Sequence, residues 1–444
     1  MIPTLLLVVP LVLQDTSRLT LVGAVERALA THPTVAAAQA RRDRASADVG
    51  DARSGRLPKL TLDGSVTRFQ EPMVVQPLHG FDPRNPPLFD QTLVQGGLSL
   101  TWTLFDFGGR AAKVRVYRAL QDAADAALTT AQQDLVARVV NSYLQVLSDR
   151  DVLEAQDQRL AALAAESARV AQLLAQGKAA RLDQLRVDAE FRRANADRIA
   201  GAGELDVAEH ELAQLTQVSY ERVHAASLPS LRLADSLFAI DTSLTIRTAT
   251  MSRAHGSSSD LQELEQRVKA ANAGLAVARA TRFPELRLSG AYADRGRWWN
   301  DFSAEWQVGV GVSYPIDVGG GRRSAIHRAQ ADGRIASEQL RGAHLDIDQA
   351  VDRALAALRE AHARAEALGA AVEQSAEVAR IEQLSLGVGS GIQSDFLEAE
   401  ANLLAARASL ISAHHQEISA RVALARLLGE LSPGWLARTV ESSS

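Results

Sequence analysis

The chain repeats itself. Residues 98–110, LSLTWTLFDFGGR, pass from an alternating pattern through two glycines into a helical period, and residues 310–322 do the same 212 positions later. Without gaps, that offset pairs Gly109 with Gly321, Val139 with Val351, Tyr143 with Leu355, Gly177 with Gly389, Asp183 with Asp395 and Leu215 with Leu427. A register kept through strand, turn, helix, break and second helix marks a duplicated supersecondary unit. Each half then has one plan: helix, two strands, long helix, shorter helix. The first half spans 18–229 and the second 230–431, with 432–444 expected as a loose C-terminal tail.

The strand of each unit alternates. Leu98, Leu100, Trp102 and Leu104 are separated by Ser99, Thr101 and Thr103; Val310, Val312, Tyr314 and Ile316 by Gly311, Ser313 and Pro315. A period of two, with one apolar and one small or polar face, fits a membrane β-strand. RLPKLTLDG (Arg56–Gly64) and RFPELRLSG (Arg282–Gly290) begin the other strand of each pair, and Leu60, Leu62, Val66 and Arg68 share a face in the first. Glu71–Gln91 holds five prolines and no period, so a long exposed loop is expected there. A shorter loop in the second half carries Trp298, Trp299 and Phe302. With Trp306 these fit an aromatic girdle at the outer membrane interface, and Trp102 and Tyr314 fit the opposite rim. Gly108, Gly109, Gly320 and Gly321 supply the turns from strand to helix.

The helices behind those turns are coiled-coil-like. Val139, Val146, Leu153, Leu160 and Leu174 recur every seven residues, with Ser167 the polar exception; Val351, Leu358, Ala365, Val372, Ala379 and Leu386 hold the same register. About 66 helical residues make a rod of about 100 Å, more than one chain of this size can bury. Four strands per chain cannot close a barrel either, since about eight are needed. Further copies must satisfy both. A trimer gives twelve strands around an aqueous lumen, with the helices continuing it. The expected fold is a mixed α and β membrane protein: a trimeric 12-stranded β-barrel, four strands per chain, joined to a long helical tunnel.

Other classes find little support. A net charge of −5 is no nucleic-acid footprint. The absence of cysteine removes disulfides, thiolate metal sites and cysteine nucleophiles. Ten histidines are scattered, with His414-His415 the only adjacent pair, so no metal site is expected. GGGRR at Gly319–Arg323 lacks the Lys-Ser/Thr of a phosphate loop, and no Ser/His/Asp motif stands out; neither cofactor nor enzyme activity is expected. LLLVVPLVL (Leu5–Leu13) has the length of a signal-peptide core, so 1–17 is expected to be a signal peptide. The competing reading is a soluble structural coiled-coil scaffold. The alternating strands, aromatic loop and signal-like start argue against it.

Taken in order, several stretches resemble the TolC-like outer-membrane efflux proteins. They are LTLVGAVERALATHP (Leu19–Pro33), RLPKL (Arg56–Leu60), LSLTWTLFDFGGR (Leu98–Arg110) and Tyr143-Leu144, then RFPELRLSG, VSYPIDVGGGRR (Val312–Arg323) and LGVGSGIQSDFLEAEANLLAARASL (Leu386–Leu410). The resemblance covers about residues 19 to 430 and implies a homotrimeric outer-membrane channel with a twelve-helix periplasmic tunnel. It also implies a periplasmic adaptor and an inner-membrane pump as partners, besides outer-membrane lipid. The breaks at Gly177 and Gly389 become the periplasmic tip, so Gly177, Lys178, Gly389, Ser390 and Gly391 become the adaptor contacts. Asp395 and Glu398 match the acidic ring at the closed entrance, with Asp183 the first-half counterpart of Asp395. Relatives can lock the tip with a basic residue where this chain has Gly391. A lock here would start from Arg181 or Arg186 instead.

Overall fold

A computed structural model of the chain describes residues 18–77, 83–84, 86–233, 244–298, 300–388 and 390–442. The expected signal segment 1–17, Trp299 and Gly389 lie outside the described residues. In the first half α1 (Leu21–Thr31) and α2 (Pro33–Ser54) lead into β1 (Lys59–Val74) and β2 (Phe89–Phe105). Then come α3 (Gly109–Ala175), α4 (Arg181–Thr216), α5 (Tyr220–Ala225) and β3 (Leu231–Leu233). The second half runs α6 (Leu244–Ser257), α7 (Ser259–Ala280), β4 (Glu285–Arg297), β5 (Asn300–Ser313), α8 (Gly321–Gly387), α9 (Gln393–Leu427), α10 (Pro433–Thr439) and β6 (Val440–Ser442). Local chemistry sets the first boundaries. The Thr20 hydroxyl accepts from the Gly23 N–H at 3.2 Å to cap α1. Pro33 opens α2, where its missing N–H and fixed φ suit a first helical position.

The duplication is kept to the residue at the starts of the long helices. Helices α3 and α8 are each 67 residues long and start 212 positions apart, and α4 and α9 have 36 and 35 residues. It also extends further than expected. Helix α5 with β3 has its counterpart in α10 with β6, and β3 pairs antiparallel with β6. Residues 433–442 are therefore no loose tail: Leu436 and Val440 are buried in the main core. Two shorter corrections concern the sheet. The Glu71–Gln91 loop is cut at both ends, because β1 continues to Val74 and β2 starts at Phe89. Pro72 fits in β1 because the register shifts between Arg68 and Met73, where no ladder N–H is required. Phe302 lies within β5 and not in a loop, while Tyr314 and Ile316 lie beyond its end, since Pro315 offers no donor to a ladder.

The chain divides into two compact units. The first takes the chain through Ala38, then Leu128–Ser259, and Ala343 onward. Its core joins α1, α3, α4, α9 and α10 through Val25, Val139, Tyr143, Leu212, Val422 and Leu436. The Tyr143 hydroxyl donates to the Leu19 carbonyl at 2.9 Å. Heptad positions Val139, Val146, Val351, Leu358, Ala365 and Ala379 are buried. Ser167, the exception, donates to Asp188 at 2.8 Å and accepts from Gln184, so it ties α3 to α4 by hydrogen bonds.

Helix α9 ends against Gly429, which has φ +68°. A Cβ there would overlap the Ser257 carbonyl oxygen at the end of α6. Gly429→Ala is expected to lose about 2 kcal/mol or more, from left-handed strain plus the clash. Thermal unfolding checks this: a melting temperature equal to wild type would show that α6 yields freely.

The second unit, Gln39–Ala127 and Asp260–Gly342, holds a four-stranded antiparallel sheet in the order β1-β2-β4-β5. Helix α2 is tied to α3 by Arg42 and Asp125 at 2.9 Å.

Candidate functional site

The sheet is the first feature able to do work. Pairing sets Leu62, Leu98, Tyr292 and Trp306 in one row and Leu60, Leu100, Gly290 and Val308 in another on the same face. The rows between them, Thr61–Ser99–Ala291–Gln307 and Asp63–Gly97–Ala293–Glu305, point the opposite way. One face is thus apolar and the other small and polar, with Arg295 and Glu305 paired at 2.7 Å. The apolar face is open: Leu62 is 82% and Trp306 76% exposed. Such a surface is stable only when covered by lipid or protein. Neither β1 nor β5 has a second neighbour among the described residues. No described helix is long and apolar enough to cross a membrane.

The aromatic residues spread along the sheet. Trp298 lies at the β4–β5 turn, whereas Phe302 and Trp306 are strand residues, and Trp306 pairs with Tyr292 well inside the sheet. At the opposite end Trp102 donates its indole N–H to the Arg56 carbonyl at 3.0 Å and Tyr314 is exposed. Sequence reasoning missed a cluster there. Phe107 stacks on Phe283 at 4.6 Å and meets Phe105 edge-on at 4.8 Å.

The turns into α3 and α8 are built alike. Gly108 and Gly320 have φ of +86° and +69°. Gly109 starts α3 where a Cβ would come within 3.2 Å of Ala280 Cβ, and Gly321 starts α8. Two carboxylates also went unrecognised: Asp106 accepts from the Arg110 N–H at 2.7 Å, and Asp317 from the Arg322 N–H at 2.9 Å. Each satisfies an orphan donor of the helix start and suits its dipole. An Asp a few residues before a Gly-Gly-Arg is the signal that finds them.

In the first unit the chain reverses at Gly177, φ +68°, where Lys178 and Gly177 donate to the Leu173 and Leu174 carbonyls. The reversal after α8 is tighter. Ser390 and Gly391 both donate to the Ser385 carbonyl, and a Cβ on Gly391 would stand 2.8 Å from the Leu386 nitrogen. A side chain at this position would force the Ser385–Leu386 backbone to shift. Asp395 and Glu398 are exposed one turn apart on α9, while Phe396 and Leu397 between them pack on Leu163, Val170 and Val187. The Asp183 carboxylate accepts from the Ala180 N–H at 3.3 Å, so it is engaged in starting α4. Lys178, Arg181 and Arg186 are exposed, and no ion pair joins Arg181 or Arg186 to Asp395 among the described residues.

The same unit holds a cavity of about 650 Å³, lined by His362, Glu366, His414, His415, Glu417 and Asp151 among others. His362 Nδ1 lies 3.0 Å from Glu417. No three His, Asp or Glu side chains among the described residues are grouped to hold a metal ion. Burial, and then the charge of His414, push the His415 pKa down to about 4. The unfolded chain therefore takes up this proton first. The neutral form's contribution is complete above about pH 6.5 and is lost as pH falls toward 4, by at most about 3 kcal/mol. Melting curves of wild type and His415→Gln are expected to run parallel above pH 7 and to converge or cross below pH 6. An unchanged difference over that range would refute the assignment.

An open sheet with one apolar and one polar face, joined to heptad helices, defines a membrane β-protein class. The chain belongs to the outer membrane efflux protein family, whose model matches residues 24–217 and 250–430. It is 26% identical over 404 residues to Nodulation protein T of Rhizobium leguminosarum bv. trifolii, covering 88% of this chain and 81% of that one. It is 24% identical over 419 residues to Outer membrane protein TolC of Escherichia coli K12, covering 92% and 81%. The fold is similar to the Campylobacter jejuni CmeC outer membrane channel, with a TM-score of 0.80 at 16% identity over 93% of this chain and 86% of the other.

Proposed function

We infer that the protein is an outer-membrane channel, the passive exit duct of a tripartite efflux or type I secretion system. The observation that carries this reading is the exposed apolar face of a four-stranded sheet in a member of the outer membrane efflux protein family. Three copies supply the twelve strands that a barrel with an aqueous lumen needs, each β5 edge meeting a β1 edge of the next copy. The apolar rows then face outer-membrane lipid and the polar rows face the lumen. The long helices of the homotrimer form a twelve-helix tunnel in the periplasm. The reversals around Gly177, Lys178, Ser390 and Gly391 meet a periplasmic adaptor that links the duct to an inner-membrane pump. Asp395 and Glu398 form the gate; Asp183, engaged as a helix cap, contributes less. Any lock from Arg181 or Arg186 to Asp395 runs between copies. The chain is a conduit and catalyses no reaction.

Cell fractionation and planar-bilayer recording test this. The protein is expected in the outer-membrane fraction as a trimer that gives stepwise conductance. Recovery only in the soluble fraction would favour the coiled-coil scaffold.

A further inference from the structure

Both halves enter the sheet through an Arg-apolar-Pro triplet, Arg56-Leu57-Pro58 and Arg282-Phe283-Pro284. The channel reading uses neither copy. Each proline holds the residue before it in extended backbone and turns the helix end into β1 or β4. The backbone geometry is the same in both, with Arg56 N–H donating to the Arg53 carbonyl at 3.0 Å and Arg282 N–H to the Arg279 carbonyl at 3.2 Å. The side chains of the two turns point outward. Leu57 is 66% and Phe283 47% exposed, and both arginines are exposed.

Two observations give these turns a ligand. First, neither guanidinium has a carboxylate partner among the described residues, whereas nearby Arg110 and Arg287 pair with Asp106 and Glu285. Second, the apolar face of the sheet continues into them. Phe105 pairs with Leu286 on that face, and Phe107 links Phe105 to Phe283. An apolar surface thus ends beside unpaired guanidinium groups at the helix end of the strands.

We propose that these two turns bind the headgroups of anionic glycerophospholipids in the periplasmic leaflet of the outer membrane. The inference rests on the channel reading, which puts the helix end of the sheet at that leaflet. Each Arg fork matches two oxygens of a phosphodiester, as a planar guanidinium does and an ammonium does not. Leu57 and the Phe283 cluster enter the boundary of the acyl chains. Charge complementarity and the unbroken apolar face select lipid over a protein partner. A trimer carries six such turns.

The test uses the full-length trimer, extracted from vesicles of equimolar phosphatidylglycerol and phosphatidylcholine, with retained lipid counted by native mass spectrometry. Wild type is expected to retain phosphatidylglycerol about fivefold over phosphatidylcholine. Arg56→Gln/Arg282→Gln is expected to lose the preference while staying trimeric and conducting, since neither side chain pairs with a carboxylate among the described residues. Arg56→Lys/Arg282→Lys should fall between them. Equal retention of both lipids by conducting wild-type trimers overturns the lipid site alone. So does an undiminished preference in the glutamine variant, or displacement of a bound protein by that variant with lipid retention unchanged. A wild-type chain that does not enter membranes overturns the channel reading along with it.

Discussion

Arg150→Met is expected to cost the first unit about 3–5 kcal/mol, the range for removing one partner of a buried ion pair. Glu209 is 1% exposed and lies 2.5 Å from the Arg150 guanidinium, with His224 Nδ1 2.6 Å from its other oxygen. The guanidinium also donates to the carbonyls of Ala226 at 2.9 Å and Val223 at 3.1 Å, and so fastens the end of α5 to α3. Methionine fills the volume of the arginine stem but leaves a buried carboxylate with one partner and takes a donor from the Ala226 and Val223 carbonyls, of which Val223 keeps the Ala226 N–H. Most of the loss comes from stranding the carboxylate rather than from breaking an attraction. The double variant Arg150→Met/Glu209→Leu should therefore be more stable than the single one and recover at least half the loss. Thermal unfolding of the purified protein checks both. Equal stability of single and double variants would mean that the carbonyl bonds, not the charge, hold this region.

Which features were legible follows from their length in sequence. The strand–glycine–helix unit could be read because its period runs through 67 residues twice, and a repeated register averages out local exceptions such as Ser167. Helix α10 and β6 were missed because seven and three residues carry no measurable period. Their burial comes from pairing with β3 and from Leu436 entering a core supplied by distant helices. The loop at Glu71–Gln91 was overestimated because proline was read as ending a strand, yet an irregular register makes room for Pro72. Long-range partners were invisible in principle. Arg150 and Glu209 are 59 positions apart, and Phe107 and Phe283 come from different halves. That Asp395 and Glu398 stand one turn apart on one helix was legible from their spacing, while the gate assigned to them is a proposal. That Asp183 belongs to a helix start, and that Gly391 has no room for a side chain, needed backbone coordinates.

Asp395→Ala/Glu398→Ala is expected to weaken block of the channel by trivalent cations by about a hundredfold or more. On the proposed channel, a homotrimer would put six carboxylates from these two positions around the entrance. Both side chains are exposed one turn apart, on the side of α9 opposite the buried Phe396 and Leu397. A cation in a narrow lumen feels each carboxylate at about 1 kcal/mol or more per unit charge, because the walls reduce solvent screening. Six such terms far exceed the factor in question even after mutual repulsion and salt are allowed for. The competing role for Asp395 is local: it sits in the first turn of α9, where an acid favours the helix dipole by about 0.5 kcal/mol. The two roles separate cleanly. A dipole role predicts a slightly lower melting temperature with block unchanged, whereas the gate role predicts lost block with the trimer intact. Asp395→Asn/Glu398→Gln keeps the side-chain size and removes the charge. If that variant is blocked as strongly as wild type, the constriction of the lumen lies elsewhere.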